Sequence, residues 1–327
     1  MDRPSIVCTF GLDPARRATA DEVLGGIADV VCLPDLDDRA RSEALKAATV
    51  LLAWNTGKEL RPGEAGLLAG ARLIQFMSAG VDFIPLGDLP AGVPVATNGG
   101  AYAEPMAEHA LATALAAAKR LLVEQAALRR GEFNQTKQNR MLAGGVCGIL
   151  GFGGVGAAMA RLAHGIGMRV HAINRSGRAD AAIDWIGTPD RLDELLVASH
   201  LLVIAVPLTR ATRGLIDGAA LARMKPDAIL VNLARGEIID EAALYRHLLA
   251  QPGFTACIDA WWVEPVRHGT FRMDQPFLDL PNVIGSPHNS AQAGSRDIGL
   301  RRALANCRRA VLGETPQHLL GAEDRVA

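Results

Sequence analysis

Short apolar runs rich in β-branched residues alternate with helical patterns along most of the chain. This alternation is typical of βαβ units, in which helices cover both faces of a parallel sheet. In the first part of the chain the pattern predicts strands at 5–10, 30–33, 50–54, 73–77 and 94–96. In the second part it predicts strands at 146–150, 169–173, 201–206, 229–233, 255–259 and 283–285. Because the alternation restarts after a long helical stretch, we expect two separate sheets.

A long Ala- and Leu-rich helical pattern separates the two groups of strands. It runs over 105–130, with Pro105 near its first turn and Gly131 directly after it, as is common at helix ends. We expect this stretch to connect two domains, and a last helix over 297–311 to bring the chain back to the first. The predicted architecture is α/β with two doubly wound parallel-sheet domains. Their predicted extents are 1–98 plus 290–327, and 99–289.

The composition fits a globular chain of two domains and excludes several functional classes. With 327 residues the chain is about twice the usual domain length. Its 34 Lys plus Arg against 35 Asp plus Glu, and its 4% aromatic residues, argue against a nucleic-acid binder. We see no signal peptide and no apolar run long enough to span a membrane. Five scattered cysteines without a CxxC pair favour a cytoplasmic location and predict no metal site.

A glycine-rich turn follows the predicted strand at 146–150 and precedes a helical pattern. Glycines at 151, 153 and 156 form a GxGxxG motif. In a dinucleotide-binding turn they permit, in order, the tight bend, the approach of a pyrophosphate and the packing of helix on strand. The phosphates then meet free N–H groups at the helix N-terminus. A Gly-rich turn without a ligand is the alternative. The cofactor contacts that we expect here are Gly151, Phe152, Gly153, Gly154, Val155 and Gly156.

The next predicted strand ends in Asn174, Arg175 and Ser176, where an NAD-binding domain commonly has an acidic residue. No carboxylate is present there to repel a 2′-phosphate, whereas Arg175 can pair with one and its two neighbours can donate hydrogen bonds. These residues therefore favour NADP as the cofactor over NAD, which stays possible. The alternative is that Arg175 stacks on the adenine or lies on a solvated loop.

Three candidate catalytic residues follow the last predicted strands of the second domain. Arg235, Glu264 and His288 each come shortly after such a strand. Open α/β sheets bind ligands outside the carboxyl ends of their strands. An Arg, a Glu and a His that converge there match a site that reduces a carbonyl group. The alternatives are a surface ion pair between Arg235 and Glu237, and an ordinary loop acid at Glu264.

At these motifs the chain resembles the D-isomer-specific 2-hydroxyacid dehydrogenases. The matching segments of the presumed cofactor domain are GILGFGGVG, Pro207-Leu208-Thr209-x-x-Thr212 with Leu215-Ile216, VNLARGEIID, residues 259–265 and SPHNSA. The N-terminal part adds SAGVD at 78–82, and Asn98 followed by AEHALA. Together these segments are far more specific than any one of them. The resemblance implies a Rossmann cofactor domain, a flavodoxin-like substrate domain and an active site in the cleft between them.

The resemblance also implies a role for each candidate residue. Arg235 would bind the substrate carboxylate and polarise the carbonyl, because its fork of donors matches planar oxygens. His288 would be the acid in reduction and the base in oxidation, and Glu264 would orient it and favour its protonated form. The implied substrate-binding residues are Ser78, Ala79, Gly80 and Asn98. The further implied cofactor contacts are Val206, Pro207, Thr212, Ala234 and Asp259.

The chain departs from the family pattern in ways that leave the substrate open. The segment 265–287 is slightly longer than usual, and it either lines the mouth of the active site or only lengthens a surface loop. Trp261 and Trp262 either shape an apolar substrate pocket or fill the core. Ser78 stands where a glycine is common, so the substrate loop is expected to be stiffer. Glyoxylate, hydroxypyruvate and larger 2-oxo acids all stay possible as the small-molecule substrate.

Two other functions stay open beside a 2-oxoacid reductase. A non-enzymatic dinucleotide sensor would keep the fold and present a protein-binding groove, as in the corepressors that this family also resembles. A formate or phosphite dehydrogenase would keep the enzyme class and change the substrate. We further expect a homodimer, because the segment 105–130 carries more apolar surface than a crossover needs and the resemblance implies a dimer through the cofactor domain.

Overall fold

A computed structural model describes residues 3–292 and 296–321 of the chain. The chain divides into two compact units. The first is Met1–Tyr102 together with Gly294–Ala327, and the second is Ala103–Ala293. The N-terminal part of the first unit contains β1 (Ser5–Cys8), α1 (Pro14–Leu24), β2 (Asp29–Cys32), α2 (Asp38–Ala47), β3 (Val50–Ala53), α3 (Thr56–Glu59), β4 (Leu73–Phe76) and β5 (Val95–Ala96). The second unit consists of α4 (Ala103–Ala118), α5 (Leu121–Arg129), β6 (Val146–Leu150), α6 (Gly154–Gly165), β7 (Arg169–Ile173), β8 (Trp185–Gly187), α7 (Leu192–Ala198), β9 (Leu201–Ile204), α8 (Gly218–Arg223), β10 (Ile229–Asn232), α9 (Glu241–Ala250), β11 (Thr255–Ile258), α10 (Pro265–His268) and β12 (Val283–Gly285). The last helix, α11 (Arg296–Val311), belongs to the first unit.

The first unit contains a parallel sheet with the strand order β2-β1-β3-β4-β5. Helices α1 and α11 contribute to the apolar cluster on one face, and α2 with the 3-10 segment Glu64–Gly70 contributes to the other. The central strands β1, β3 and β4 are therefore buried and mostly apolar, as in sheets that are covered on both sides, and Gln75 is a buried polar residue of β4. Asp13 begins α1 by accepting a hydrogen bond from the N–H of Arg16, and Gly25 ends it in the left-handed conformation.

The second unit contains a seven-stranded parallel sheet with the order β12-β11-β10-β9-β6-β7-β8. Helices α4 and α6 pack on one face, and α7, α8 and α9 pack on the other. Strand β6 lies between β7 and β9: the chain adds β7 and β8 on one side of β6, then crosses back and adds β9 to β12 on the other side. Ligands of open α/β sheets bind at such a reversal, outside the carboxyl ends of the strands. The predicted α/β class with two parallel sheets is confirmed.

The sequence pattern misplaces some of the elements. It misses β8, because this strand has only three residues and lies half-buried at the edge of its sheet. It extends several strands by one or two residues beyond their carboxyl ends, where apolar residues continue into the loops. Among the residues that the structure describes, no helix has both the length and the apolar composition needed to cross a membrane.

The helical pattern over 105–130 forms two helices rather than one, and the first of them begins directly after the first unit's N-terminal part. Helix α4 ends at Ala118, Arg120 takes a left-handed conformation with φ 55°, and α5 begins one residue later. A later segment returns to this end of α4, where the Arg140 N–H donates to the Ala118 carbonyl at 3.0 Å. The Lys119 ammonium donates to the Arg140 carbonyl at 2.8 Å. Both helices lie within the second unit.

Candidate active site

The three motif glycines of the turn after β6 differ in what a side chain at their position would meet. Gly151 has φ +103°, and a Cβ there would lie 2.7 Å from the backbone of Ala205 and Val206. A Cβ on Gly156 would lie 2.5 Å from the Gly151 carbonyl oxygen. Gly153 has nothing within 4 Å of its ideal Cβ position. The chain itself therefore requires glycine at 151 and 156, whereas the space beside Gly153 is open to a ligand.

The N-terminus of α6 fits the phosphate groups of a dinucleotide. Its N-cap residue is Gly153, which offers no side chain to accept hydrogen bonds from the first turn. The first N–H groups of a helix have no intrahelical partner and attract anions. The open space beside Gly153 lies at this same helix end, so the residues of the turn are compatible with a bound pyrophosphate.

The loop after β7 carries the three residues expected at the 2′ position of the cofactor. The Asn174 side chain forms a turn: its Oδ1 accepts from the N–H groups of Ser176 at 3.1 Å and Gly177 at 2.7 Å. Its amide nitrogen donates to the Arg178 carbonyl at 2.7 Å. Arg175 is exposed. The Asn174 side chain therefore shapes the loop, and Arg175 extends from it into solvent.

The segment after β9 lies beside the glycine turn. The Ala205 N–H donates to the Leu150 carbonyl at 2.8 Å, and the backbone of Val206 borders Gly151. The Thr212 hydroxyl donates to the Pro207 carbonyl at 2.7 Å and closes a tight loop. Val206, Pro207 and Thr212 thus form one ordered segment at the strand reversal of the sheet.

Arg235, Glu264 and His288 lie beyond the carboxyl ends of β10, β11 and β12, which are neighbouring strands. His288 Nδ1 lies 2.8 Å and 2.9 Å from the two carboxylate oxygens of Glu264. Because a carboxylate only accepts, Nδ1 donates to it, and Nε2 is the ring nitrogen that Glu264 does not occupy. As the sequence predicts, each of the three residues follows a strand of this sheet.

The Glu264 carboxylate is held in its charged form although it is buried. Burial alone raises the pKa of this carboxyl group. The hydrogen bond and charge of His288 lower it, and the Trp261 N–H and the charge of Arg235 lower it further by smaller amounts; together they outweigh burial. The net result is a pKa of Glu264 below its usual value. Its side chain is therefore an anion that faces the imidazole of His288.

Comparison with known proteins identifies the family. Residues 111–290 match the model of the D-isomer specific 2-hydroxyacid dehydrogenase NAD-binding domain. A glyoxylate reductase of Korarchaeum cryptofilum is 32% identical over 259 residues, which are 77% of this chain and 76% of that protein. A hydroxypyruvate reductase of Thermotoga maritima is 32% identical over 213 residues, 64% of this chain and 67% of that protein. The chain belongs to the D-isomer specific 2-hydroxyacid dehydrogenase family.

Solved structures agree with this assignment. A D-isomer specific 2-hydroxyacid dehydrogenase of Xanthobacter autotrophicus in complex with NADPH is 25% identical, with a TM-score of 0.78 over 98% of each chain. A putative formate dehydrogenase of Pyrobaculum aerophilum is 27% identical, with a TM-score of 0.79 over 98% of this chain and 99% of that one. The present dehydrogenase is therefore an oxidoreductase of 2-hydroxy acids that uses a nicotinamide dinucleotide.

The two tryptophans of this dehydrogenase brace the three loops. Trp261 Nε1 donates to the Ser286 carbonyl at 2.8 Å, and Trp262 Nε1 donates to the Ile239 carbonyl at 2.8 Å. Gly236 lies so close that a Cβ there would be 2.4 Å from the backbone joining both tryptophans. Of the two roles that the sequence leaves open, the structure favours core packing. The pair links the loops of Arg235, Glu264 and His288.

An ion pair that sequence reasoning missed adds a second brace. Arg267 donates to both carboxylate oxygens of Glu237, at 3.0 Å and 2.8 Å, and both side chains are largely buried. It joins the loop of Arg235 to helix α10 directly after Glu264. Glu237 belongs to the VNLARGEIID segment, but Arg267 lies in none of the motifs, and only the fold brings the two residues together. Part of the segment 265–287 therefore stabilises the site from within its own unit.

The predicted substrate loop 78–80 follows β4 in the first unit. Asn98 is buried, and its side-chain amide donates to the carbonyls of Met77 at 3.1 Å and Gly299 at 2.8 Å. Its N–H donates to the Ser78 carbonyl at 2.8 Å. Asn98 thus fixes the start of the loop. Its contact with a substrate, like those of Ser78, Ala79 and Gly80, stays a prediction.

Proposed function

We propose that this dehydrogenase reduces a 2-oxo acid to a D-2-hydroxy acid with NADPH, and that Arg235, Glu264 and His288 perform the catalysis. The single observation that carries the proposal is the hydrogen-bonded pair of His288 and Glu264, with Arg235 close enough to lower the pKa of the same carboxyl group. Such a pair, beside a fixed cation at the carboxyl ends of parallel strands, suits proton transfer to a carbonyl oxygen.

In the proposed reaction, Arg235 binds the substrate carboxylate and draws electron density from the carbonyl oxygen. The reduced nicotinamide, when bound, supplies a hydride to the carbonyl carbon. His288 gives the proton on Nε2 to the oxygen, while the anionic Glu264 stabilises the imidazolium before transfer and holds its Nδ1–H. In the reverse direction the neutral imidazole takes the proton back. The backbone N–H groups of Ala79 and Gly80 are proposed to bind the substrate carboxylate as well.

An assay of the purified protein tests this function. We expect loss of NADPH absorbance with one or more of glyoxylate, hydroxypyruvate and phenylpyruvate, and a loss that is slower by roughly 10²- to 10⁴-fold with His288→Asn. Oxidation of formate or phosphite with NADP⁺, without any 2-oxo acid reduction, would instead assign the alternative substrate class. Tight binding of NADPH without turnover of any substrate would favour a dinucleotide sensor.

We further propose NADP as the preferred cofactor, with Arg175 as the residue that pairs with the 2′-phosphate. Removing one charge-assisted contact lowers kcat/KM for NADPH by roughly tenfold in Arg175→Ala, with little change for NADH. The neighbouring exposed Arg178→Ala serves as the matched control for net charge. A wild-type kcat/KM that is higher for NADH, or equal losses in the two variants, contradicts the proposed contact.

The proposed partner is a second copy of the same chain. Helix α5 and the segment after it expose large apolar side chains, with 56% of Leu121, 51% of Leu122, 53% of Leu128 and 75% of Phe133 accessible. An apolar group of this size commonly marks an interface. Sedimentation as a monomer at micromolar concentration would contradict the dimer.

A cytoplasmic location is proposed because all five cysteines are buried free thiols.

A further inference from the structure

His288 has an unusual backbone conformation that the loop around it must maintain. Its φ is 50°, in the left-handed region that residues other than glycine seldom occupy. The N–H groups that follow it, those of Asn289 and Ser290, donate to the Asp259 carboxylate at 3.1 Å and 3.2 Å. Asp259 is buried, so its oxygens anchor the loop beneath His288.

A histidine on α4 reaches the same carboxylate through a serine. His109 Nε2 lies 3.0 Å from the Ser286 hydroxyl, which lies 2.6 Å from Oδ1 of Asp259. The direct distance from His109 Nε2 to that Oδ1 is 3.9 Å. The serine is therefore the link between the imidazole and the carboxylate.

The number of available protons fixes the direction of this chain. Ser286 has one hydroxyl proton, and the Asp259 carboxylate has none to give. The short contact of 2.6 Å therefore requires Ser286 to donate to Asp259. The serine oxygen must then accept from His109, which carries its proton on Nε2. A neutral His109 with its proton on Nδ1 would instead leave two acceptors, His109 Nε2 and Asp259 Oδ1, for the single hydroxyl proton of Ser286.

We propose that His109 is a positioning residue for His288, acting through Ser286 and Asp259. This inference rests on the proposed function, in which His288 transfers the proton. The loop 286–290 is held on one side by the indole of Trp261, which donates to the Ser286 carbonyl, and on the other by His109. With both contacts in place, Asp259 keeps the two N–H groups that fix His288 in its left-handed conformation.

Three variants test the proposal. His109→Leu removes the donor, and His109→Gln places an amide N–H near the position of Nε2. We expect His109→Leu to lower kcat by roughly 10- to 100-fold, the usual effect of misplacing a reacting group, with KM for NADPH nearly unchanged. His109→Gln should restore most of kcat. His164→Leu is the matched control, because His164 also pairs with an aspartate, Asp184, at 2.9 Å in the same unit.

Several outcomes would overturn the proposal. They are wild-type kcat in His109→Leu, an equal loss in His109→Gln, and an equal loss in His164→Leu. The nitrogen chemical shifts of the His109 ring in labelled wild-type protein give a reading that needs no turnover. A proton on Nε2 supports the chain, and a neutral ring with its proton on Nδ1 contradicts it. If the wild type turns over no 2-oxo acid, the proposed function fails, and the ring signals still decide the hydrogen-bond chain.

Discussion

His288→Asn is expected to lower kcat for 2-oxo acid reduction by roughly 10²- to 10⁴-fold, the usual contribution of a positioned general acid. Asparagine tolerates the left-handed backbone at this position better than alanine does, so the loop should keep its shape. The affinity for NADPH, measured by fluorescence titration, should stay close to that of the wild type. Turnover near the wild-type rate would remove His288 from the reaction.

Glu264→Gln separates the charge of the pair from its hydrogen bond. The amide oxygen can still accept from Nδ1 of His288, but it no longer stabilises the imidazolium. Because reduction needs the protonated ring, the limb of kcat/KM that falls with rising pH should move to lower pH. An unchanged pH profile would show that the charge of Glu264 does not act on His288.

Arg235→Lys is expected to lower kcat/KM for the 2-oxo acid by roughly 10²- to 10³-fold, as for the loss of one donor to a developing charge. Lysine keeps the charge but loses the planar fork that matches a carboxylate and a carbonyl oxygen. The control is Arg223→Lys, which changes an exposed arginine paired with Asp193 on the same unit. Equal kinetics in the two variants would contradict the proposed role of Arg235.

The sequence predicts the elements of the site better than it predicts what holds them. The strands before the glycine turn and before Arg235 are short apolar runs, so their local pattern is sufficient. The bracing by Trp261 and Trp262 cannot be predicted in this way, because it depends on which strands become neighbours. The ion pair of Arg267 with Glu237 cannot be predicted for the same reason, because it joins positions that are 30 residues apart.

The break between α4 and α5 shows the same limit. The run over 105–130 has good helix formers throughout, and nothing in it marks an end at Ala118. At that end the backbone of Arg140, 22 residues further along, supplies the hydrogen bond that the Ala118 carbonyl would otherwise lack. A local pattern cannot contain a contact of this kind.

Strand β12, which leads into the loop of His288, is the outermost of the described strands of its sheet and, among them, pairs with β11 alone. Edge strands with few hydrogen bonds are among the first parts of a fold to open. Opening of β12 would withdraw the proposed proton donor while the glycine turn, in the middle of the sheet, stayed intact. Partial denaturation should therefore produce molecules that still hold the dinucleotide but have stopped reacting, so heat inactivation would precede loss of cofactor binding.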